Sequence, residues 1–367
     1  MPGAREDWFD EKALRAGYEN GAALASAHGL KPYRIEQLYR AATKELVADL
    51  DAVTTLPKEL RATLAAEGFA LDAIEPVVIQ RSNDGQTTKG LFRLRDGNDV
   101  EAVLMEHHGG RNTVCISSQA GCAYACSFCA TGQAGFTRNL SATEIFDQAR
   151  YFARGLAQHG RKITNVVYMG MGEPFANLDN VMASVALLND AHGFGLGHRH
   201  ITISTVGLVD KIDRFAEAQT QVNLAISLHA PTDATRSAIM PVNRKWSTAE
   251  LMAAVERYIR TTNRKVFFEY VMLAGVNDTD QHARDLARLM RGPLYHVNLI
   301  PYNSTPDAAL RGSDDARIWA FAKIVEQLGV AVTVRTPMGR DITAACGQLR
   351  AETQPRAHSS TAAASLG

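Results

Sequence analysis

The sequence predicts an α/β fold, a partial (β/α)6 barrel preceded by a helical module and a small antiparallel β-meander. Three observations carry that expectation. Between about residues 113 and 335, short apolar runs alternate with amphipathic stretches six times, as β-α units around a parallel sheet do. Ahead of them, runs of period two are separated by turn residues, which suggests antiparallel strands. The chain has 367 residues, a length that suits a partial barrel with additions better than a closed eight-fold one.

The elements follow in order. Residues 1–75 read as a helical module, in which Ile35, Leu38, Tyr39, Ala42 and Leu46 fall at helical spacing after Pro32. The opposite face carries Arg34, Arg40 and Lys44, which suits either an RNA contact or a solvated surface. Residues 76–110 read as the meander, with Ser82-Asn-Asp-Gly and Asp96-Gly-Asn-Asp as its turns. Residues 111–349 form the barrel. Its strands are expected at 113–118, 164–171, 200–205, 222–228, 265–272 and 295–301, with a further apolar run at 330–335. Helices are expected at about 141–157, 177–192, 208–217, 247–261, 279–291 and 313–328. Two of them open with the capping boxes Ser141-x-x-Glu144 and Ser247-x-x-Glu250. The tail, 350–367, is rich in Ala, Ser and Thr and is expected to be disordered.

Composition excludes some classes. Hydrophobic residues make up 46% of the chain, too many for global disorder. No run approaches the ~18 apolar residues that a membrane helix requires. The charged N-terminal residues lack the apolar core of a secretory signal, so a cytoplasmic location is expected. Lys+Arg and Asp+Glu both number 39, so a nucleic-acid partner would have to be held by a local basic patch.

The five cysteines, Cys115, Cys122, Cys126, Cys129 and Cys346, make a poor disulfide framework. Cys122, Cys126 and Cys129 form C-x-x-x-C-x-x-C, which lets one loop turn three thiolates toward a common point. Zinc is one occupant of such a loop, but structural zinc takes four ligands, and no Cys or His follows at finger spacing. A [4Fe–4S] cluster held by three thiolates leaves one iron free of protein. Chemistry in parallel α/β folds gathers at the C-terminal ends of strands, where this loop and the polar strand ends Gly172-Glu173, Ser204, Ser227-Leu-His229 and Asn303 all fall. His198-x-His200 lacks a carboxylate at ligand spacing, and Gly193-x-Gly195-x-Gly197 leads into a strand, so it is no dinucleotide fingerprint.

The cysteine triplet, with Phe128 before its last member, resembles the signature of the radical S-adenosylmethionine (SAM) superfamily. Cys115-Ile-Ser-Ser-Gln-Ala-Gly-Cys122, Phe136-Thr-Arg-Asn-Leu140, Gly170-Met-Gly-Glu-Pro174, Ser227-Leu-His-Ala230, Asn298-Leu-Ile-Pro-Tyr-Asn303 and Ala344-Ala-Cys-Gly-Gln-Leu349 follow in one order. Together they resemble the RlmN family of bacterial RNA adenine-C2 methyltransferases over nearly the whole chain.

The resemblance implies a radical-SAM barrel with one [4Fe–4S] cluster on Cys122, Cys126 and Cys129, and two SAM molecules used per turnover. It assigns SAM binding to Gly172, Glu173, Ser204, Ser227, Leu228, His229 and Asn303. Cys346 becomes the residue that carries the methyl group as a thioether. Glu101 becomes the proton acceptor, and Cys115 the thiol that releases product through a transient disulfide with Cys346. The implied substrates are 23S rRNA at the peptidyl-transferase centre and tRNA beside the anticodon. An electron donor such as flavodoxin and a monomeric protein are also expected. Basic pairs at Arg244-Lys245 and Arg264-Lys265 are candidate phosphate contacts at the rim. Two alternatives stand beside this reading: a sister enzyme that methylates adenine C8 and confers ribosomal antibiotic resistance, and a non-catalytic RNA-binding protein with structural zinc.

Overall fold

The computed structural model describes residues 21–350 apart from 219, 291 and 305–309. The tail from 351 onward and the start of the helical module lie outside the described residues. Helices α1 (Gly21–His28), α2 (Pro32–Thr43) and α3 (Lys58–Ala66) come first. Pro32 opens α2, where its missing N–H is no loss, and α2 buries Ile35, Leu38, Tyr39 and Ala42 as the spacing predicts. Leu46 falls beyond its end, in a left-handed conformation.

Strands β1 (Ile74–Arg81), β2 (Thr87–Leu94) and β3 (Asp99–Glu106) form the meander. Then come β4 (Asn112–Cys115), β5 (Gln119–Gly121), α4 (Ala130–Ala134), β6 (Phe136–Asn139), α5 (Ala142–Ala157), β7 (Asn165–Tyr168) and α6 (Leu178–Asn189). The order continues with β8 (Ile201–Thr205), α7 (Val209–Glu217), β9 (Asn223–Ser227), α8 (Asp233–Ile239), α9 (Thr248–Thr262) and β10 (Val266–Met272). It closes with α10 (Asp280–Leu289), β11 (Tyr295–Pro301), α11 (Asp315–Gln327) and β12 (Ala331–Val334).

Ten strands make one open sheet in the order β1-β2-β3-β4-β7-β8-β9-β10-β11-β12. Pairing is antiparallel from β1 to β4 and parallel from β4 to β12. The meander is therefore the continuation of the barrel sheet, and residue 110 is a turn within one hydrogen-bonded surface. The last apolar run, 330–335, supplies a seventh parallel strand. Both expected capping boxes form, and Thr279 with His282 adds a third. Helix α8 has no apolar stripe to announce it; the Thr232 side chain caps it.

Burial explains the parallel strands. Val166, Ile201, Ile203, Leu224, Ile226, Val266, Phe268, Val297 and Leu299 are fully enclosed between the sheet and its helices. Arg150 of α5, also fully enclosed, donates to the Leu71 carbonyl and to Asp147, whose other oxygen accepts the Ala73 N–H. That network fixes the chain entering β1 onto the barrel. No helix among the described residues is long and apolar enough to cross a membrane.

Candidate active site

The C-terminal ends of the parallel strands surround a cavity of about 170 Å³. Of the residues singled out from the sequence, Cys122, Cys126, Cys129, Gly172, Glu173, Ser204, Ser227, His229 and Cys346 line it. Leu228, Asn303, Cys115 and Glu101 do not.

Backbone geometry shapes the cysteine loop. Gly121 has φ +77°, and a side chain there would overlap the Gly135 carbonyl oxygen, which accepts the Cys122 N–H at 2.7 Å. A Cβ on Gly132 would come within 2.9 Å of the Cys126 amide, so the start of α4 sits directly under the loop. The Cys129 N–H closes the turn onto the Cys126 carbonyl at 3.1 Å. Phe128 meets His229 edge to face, with ring centroids 4.7 Å apart, and so anchors the loop to the end of β9.

Burial pushes the Cys122 thiol up to about 12, and the neighbouring Glu173 and Cys129 add to the shift. Cys126 is raised well above its ordinary value, first by burial and then by Cys129 and Cys122. Thiols in this state need a positively charged partner to become ligands. The Cys122, Cys126 and Cys129 thiols line one cavity, and three thiolates from one loop suit a polynuclear group with its ligands on separate irons. The donor set fits an iron–sulfur cluster.

Gly172 has φ +96°, and a Cβ there would meet the Gln119 side chain at 2.5 Å. Beside it Glu173 is 2% exposed. Its two oxygens accept the Phe175 and Val206 N–H groups at 2.9 and 2.8 Å. Burial nevertheless lifts its carboxyl to about 7. Ser204 and Ser227 approach each other at 3.3 Å between hydroxyl oxygens. His229 accepts the Val271 N–H on Nδ1, which leaves the proton on Nε2, and burial followed by Arg236 drops its pKa to about 3. It stays neutral at any working pH.

Leu228 is fully buried, and its carbonyl accepts from Arg236 Nε. Asn303 turns toward the segment after β12: its Nδ2 donates to the Cys346 carbonyl at 3.4 Å and its Oδ1 accepts from Arg340. Cys115 ends β4, where it pairs with Val167 of β7. Burial and then the nearby Cys346 thiol raise it to about 12, against the pull of Arg335. Cys346 is raised to about 11 by burial, then Glu269 and Cys129, again opposed by Arg335. Its exposed surface belongs to the cavity wall, which reconciles that exposure with its dense surroundings. Both are free thiols.

Glu101 lies on β3 outside the cavity wall, 6% exposed. Its Oε1 stands 3.1 Å from Lys89 Nζ, and its Oε2 accepts the Arg350 N–H at 2.8 Å.

Sequence reasoning missed three charged residues. Glu269, on β10, accepts on Oε1 from Asn298 and Arg335 at 2.9 Å each, while its buried Oε2 has no hydrogen-bond partner. Arg335 follows β12 on the cavity wall. Arg236 is 1% exposed and donates to the carbonyls of Val206, Ser227 and Leu228, holding the ends of β8 and β9 together. A lone charge inside the apolar run Val266–Met272 was the available signal for Glu269. Of the basic pairs, Arg244-Lys245 follows Met240, which lines the cavity. Arg264-Lys265 corrects the expectation: it precedes β10, at the opposite end of the sheet, where Arg264 binds Asn223 at the start of β9.

A parallel sheet with three cysteines and a Gly-Glu turn at its C-terminal mouth defines a radical SAM enzyme. The Radical SAM superfamily profile matches residues 116–288. The chain is 48% identical over 337 residues to a probable dual-specificity RNA methyltransferase RlmN of Chloroflexus aurantiacus, covering 89% of each protein. It is 43% identical over 325 residues to the Bacillus subtilis protein of the same name, again covering 89% of each. A crystal structure of a radical SAM methyltransferase from Sphaerobacter thermophilus superposes with a TM-score of 0.88 at 48% identity, over 92% of this chain and 99% of that one. The chain belongs to the RlmN family of radical-SAM RNA methyltransferases. Membership implies a [4Fe–4S] cluster and SAM as its cofactors.

Proposed function

We propose that this chain methylates C2 of adenosine in 23S rRNA, at the peptidyl-transferase centre, and in tRNA, beside the anticodon. The observation that carries the reading is the set of free thiols: Cys346 lines the same cavity as Cys122, Cys126 and Cys129, and Cys115 ends the strand β4. A carbon between two ring nitrogens is electron-poor and resists polar methyl transfer, so radical chemistry and a sulfur relay suit it.

In this reading Cys122, Cys126 and Cys129 hold the cluster. Gly172, Glu173, Ser204, Ser227, Leu228, His229 and Asn303 form the SAM site, Leu228 through its backbone and Asn303 by holding the Cys346 segment. When bound, the cluster and SAM supply a one-electron cleavage that delivers a carbon-centred radical. Cys346 accepts a methyl group as a thioether from one SAM and gives up a hydrogen atom from it at the expense of a second. The resulting carbon bonds adenine C2, so RNA is joined to Cys346. Glu101 would remove the ring proton, while the unpaired electron of the adduct would return to the oxidised cluster, leaving a closed-shell thioether between Cys346 and the RNA. The Cys115 thiolate would then attack the Cys346 sulfur; the methylene carbon leaves with the S–C bond pair and takes up a proton, which frees the methylated RNA and leaves a Cys115–Cys346 disulfide. Such an exchange needs a thiolate, and Arg335 is the cation that favours one at both sulfurs. A flavodoxin-type electron donor, a cytoplasmic setting and a monomeric enzyme complete the reading.

The test is nucleoside mass spectrometry of rRNA and tRNA after incubation with anaerobically reconstituted protein, SAM and reductant. The reading predicts 2-methyladenosine in both. Adenosine methylated at C8, or left unmodified, overturns it.

A further inference from the structure

We propose that Lys89 is a positioning residue for the proton-removal step, fixing the Glu101 carboxylate relative to the segment that carries Cys346. The inference rests on the reading of Glu101 as proton acceptor and goes beyond it.

Lys89 lies on β2, where Leu91 pairs with Glu101 of β3. Period-two alternation puts Lys89 on the same face as Leu91, a diagonal neighbour of Glu101. Its side chain is only 11% exposed and that of Glu101 only 8%, so the ion pair at 3.1 Å is held out of water. A lysine has three N–H donors. One reaches Glu101, and another points to the Thr343 carbonyl at 3.4 Å. Thr343 precedes Cys346 by three residues. On the other side, Arg350 donates its backbone N–H to Glu101 Oε2 at 2.8 Å. The Cys346 segment is thus tied to Glu101 at both ends, directly through Arg350 and by way of Lys89 at Thr343.

This bracket matters at one moment. When the ring proton leaves, the adenine is covalently attached to Cys346 through a single carbon. The distance from that proton to Glu101 is then set by whatever fixes the Cys346 segment against Glu101. A base must lie within hydrogen-bond reach of its proton, and a displacement of about 1 Å is enough to slow transfer about 100-fold. Methyl loading of Cys346 needs no such register. Removing Lys89 should therefore slow transfer to RNA while sparing loading.

The test compares the reconstituted parent with Lys89→Met, Lys89→Arg and Glu101→Gln. Two rates are read: S-methylation of Cys346 by SAM, from peptide mass, and single-turnover transfer to RNA. The covalent RNA–protein adduct is followed on denaturing gels. We expect Lys89→Met to load Cys346 at the parent rate, transfer roughly 10- to 100-fold more slowly, and accumulate adduct. Lys89→Arg keeps the charge in altered geometry and should lose less. Because loading itself reports a folded protein, the ratio of transfer to loading decides in whichever variant loads. A parent ratio in every variant of Lys89 that loads, or a loss that falls equally on loading and transfer, overturns the inference. Unimpaired transfer by Glu101→Gln would instead overturn the reading of Glu101 itself.

Discussion

The Tyr39 hydroxyl donates a buried 2.6 Å hydrogen bond to the Asp190 carboxylate, joining α2 to the end of α6 across 151 positions of sequence. The helical module is locked to the barrel by this contact. Gly193, which leads out of the same corner, leaves room for it: a Cβ there would approach Thr43 Oγ1 at 2.9 Å and the Tyr39 oxygen at 3.1 Å.

Tyr39→Phe should leave one lobe of a buried carboxylate without its donor. Hydrogen bonds to charged groups contribute about 1.5–3 kcal/mol, so stability should drop by that order. Thermal unfolding checks this, with a melting midpoint at the parent value as the contrary result.

Gly121→Ala should disrupt the cysteine loop. The added methyl overlaps the Gly135 carbonyl and the residue must also hold φ +77°. Iron content and visible absorbance after anaerobic reconstitution should fall sharply, while far-ultraviolet circular dichroism stays near that of the parent.

Arg138 of β6 binds Asp96 in the β2–β3 turn and Glu144 at the start of α5, pinning the hairpin beside the cysteine loop. The Asp96 carboxyl lies well below its ordinary value, chiefly through Arg138. A depressed folded-state pKa gives stability that is present above the unfolded value near 3.8 and is lost as pH falls through the folded one. The Asp96 side chain is 40% exposed, so the effect is modest and weakens with salt. Acid unfolding below about pH 4 should be less steep in Asp96→Asn than in the parent, and identical curves would contradict the assignment.

Cys115→Ala should trap RNA joined to Cys346, because no thiol remains to open the link. Cys346→Ala should show neither the adduct nor the protein thioether. Denaturing gels and peptide mass spectrometry read both, and a fully active Cys115→Ala enzyme would remove its role.

Much of this architecture was legible in the chain because burial is local to each element. The parallel strands read as continuous apolar runs, and Ser141 and Ser247 announced their helices through capping chemistry. What was not legible depends on contacts distant in sequence. Nothing around Lys89 forecasts that it meets Glu101 and Thr343, and nothing around Asn303 forecasts that it grips the Cys346 carbonyl. Pairing of β3 with β4 likewise follows from tertiary packing, because a turn at residue 110 reads the same whether it ends a sheet or continues one. Arg264-Lys265 was misplaced because a charge pair beside a strand does not tell which end of the sheet it occupies.

The relay through Cys346 is tested most directly with SAM carrying a trideuterated methyl group, followed by mass analysis of the methyladenosine formed. Loss of one hydrogen atom from the thioether before carbon–carbon bond formation predicts a product methyl that keeps two deuterium atoms and gains one hydrogen. A product retaining all three would mean intact methyl transfer, and would contradict the account.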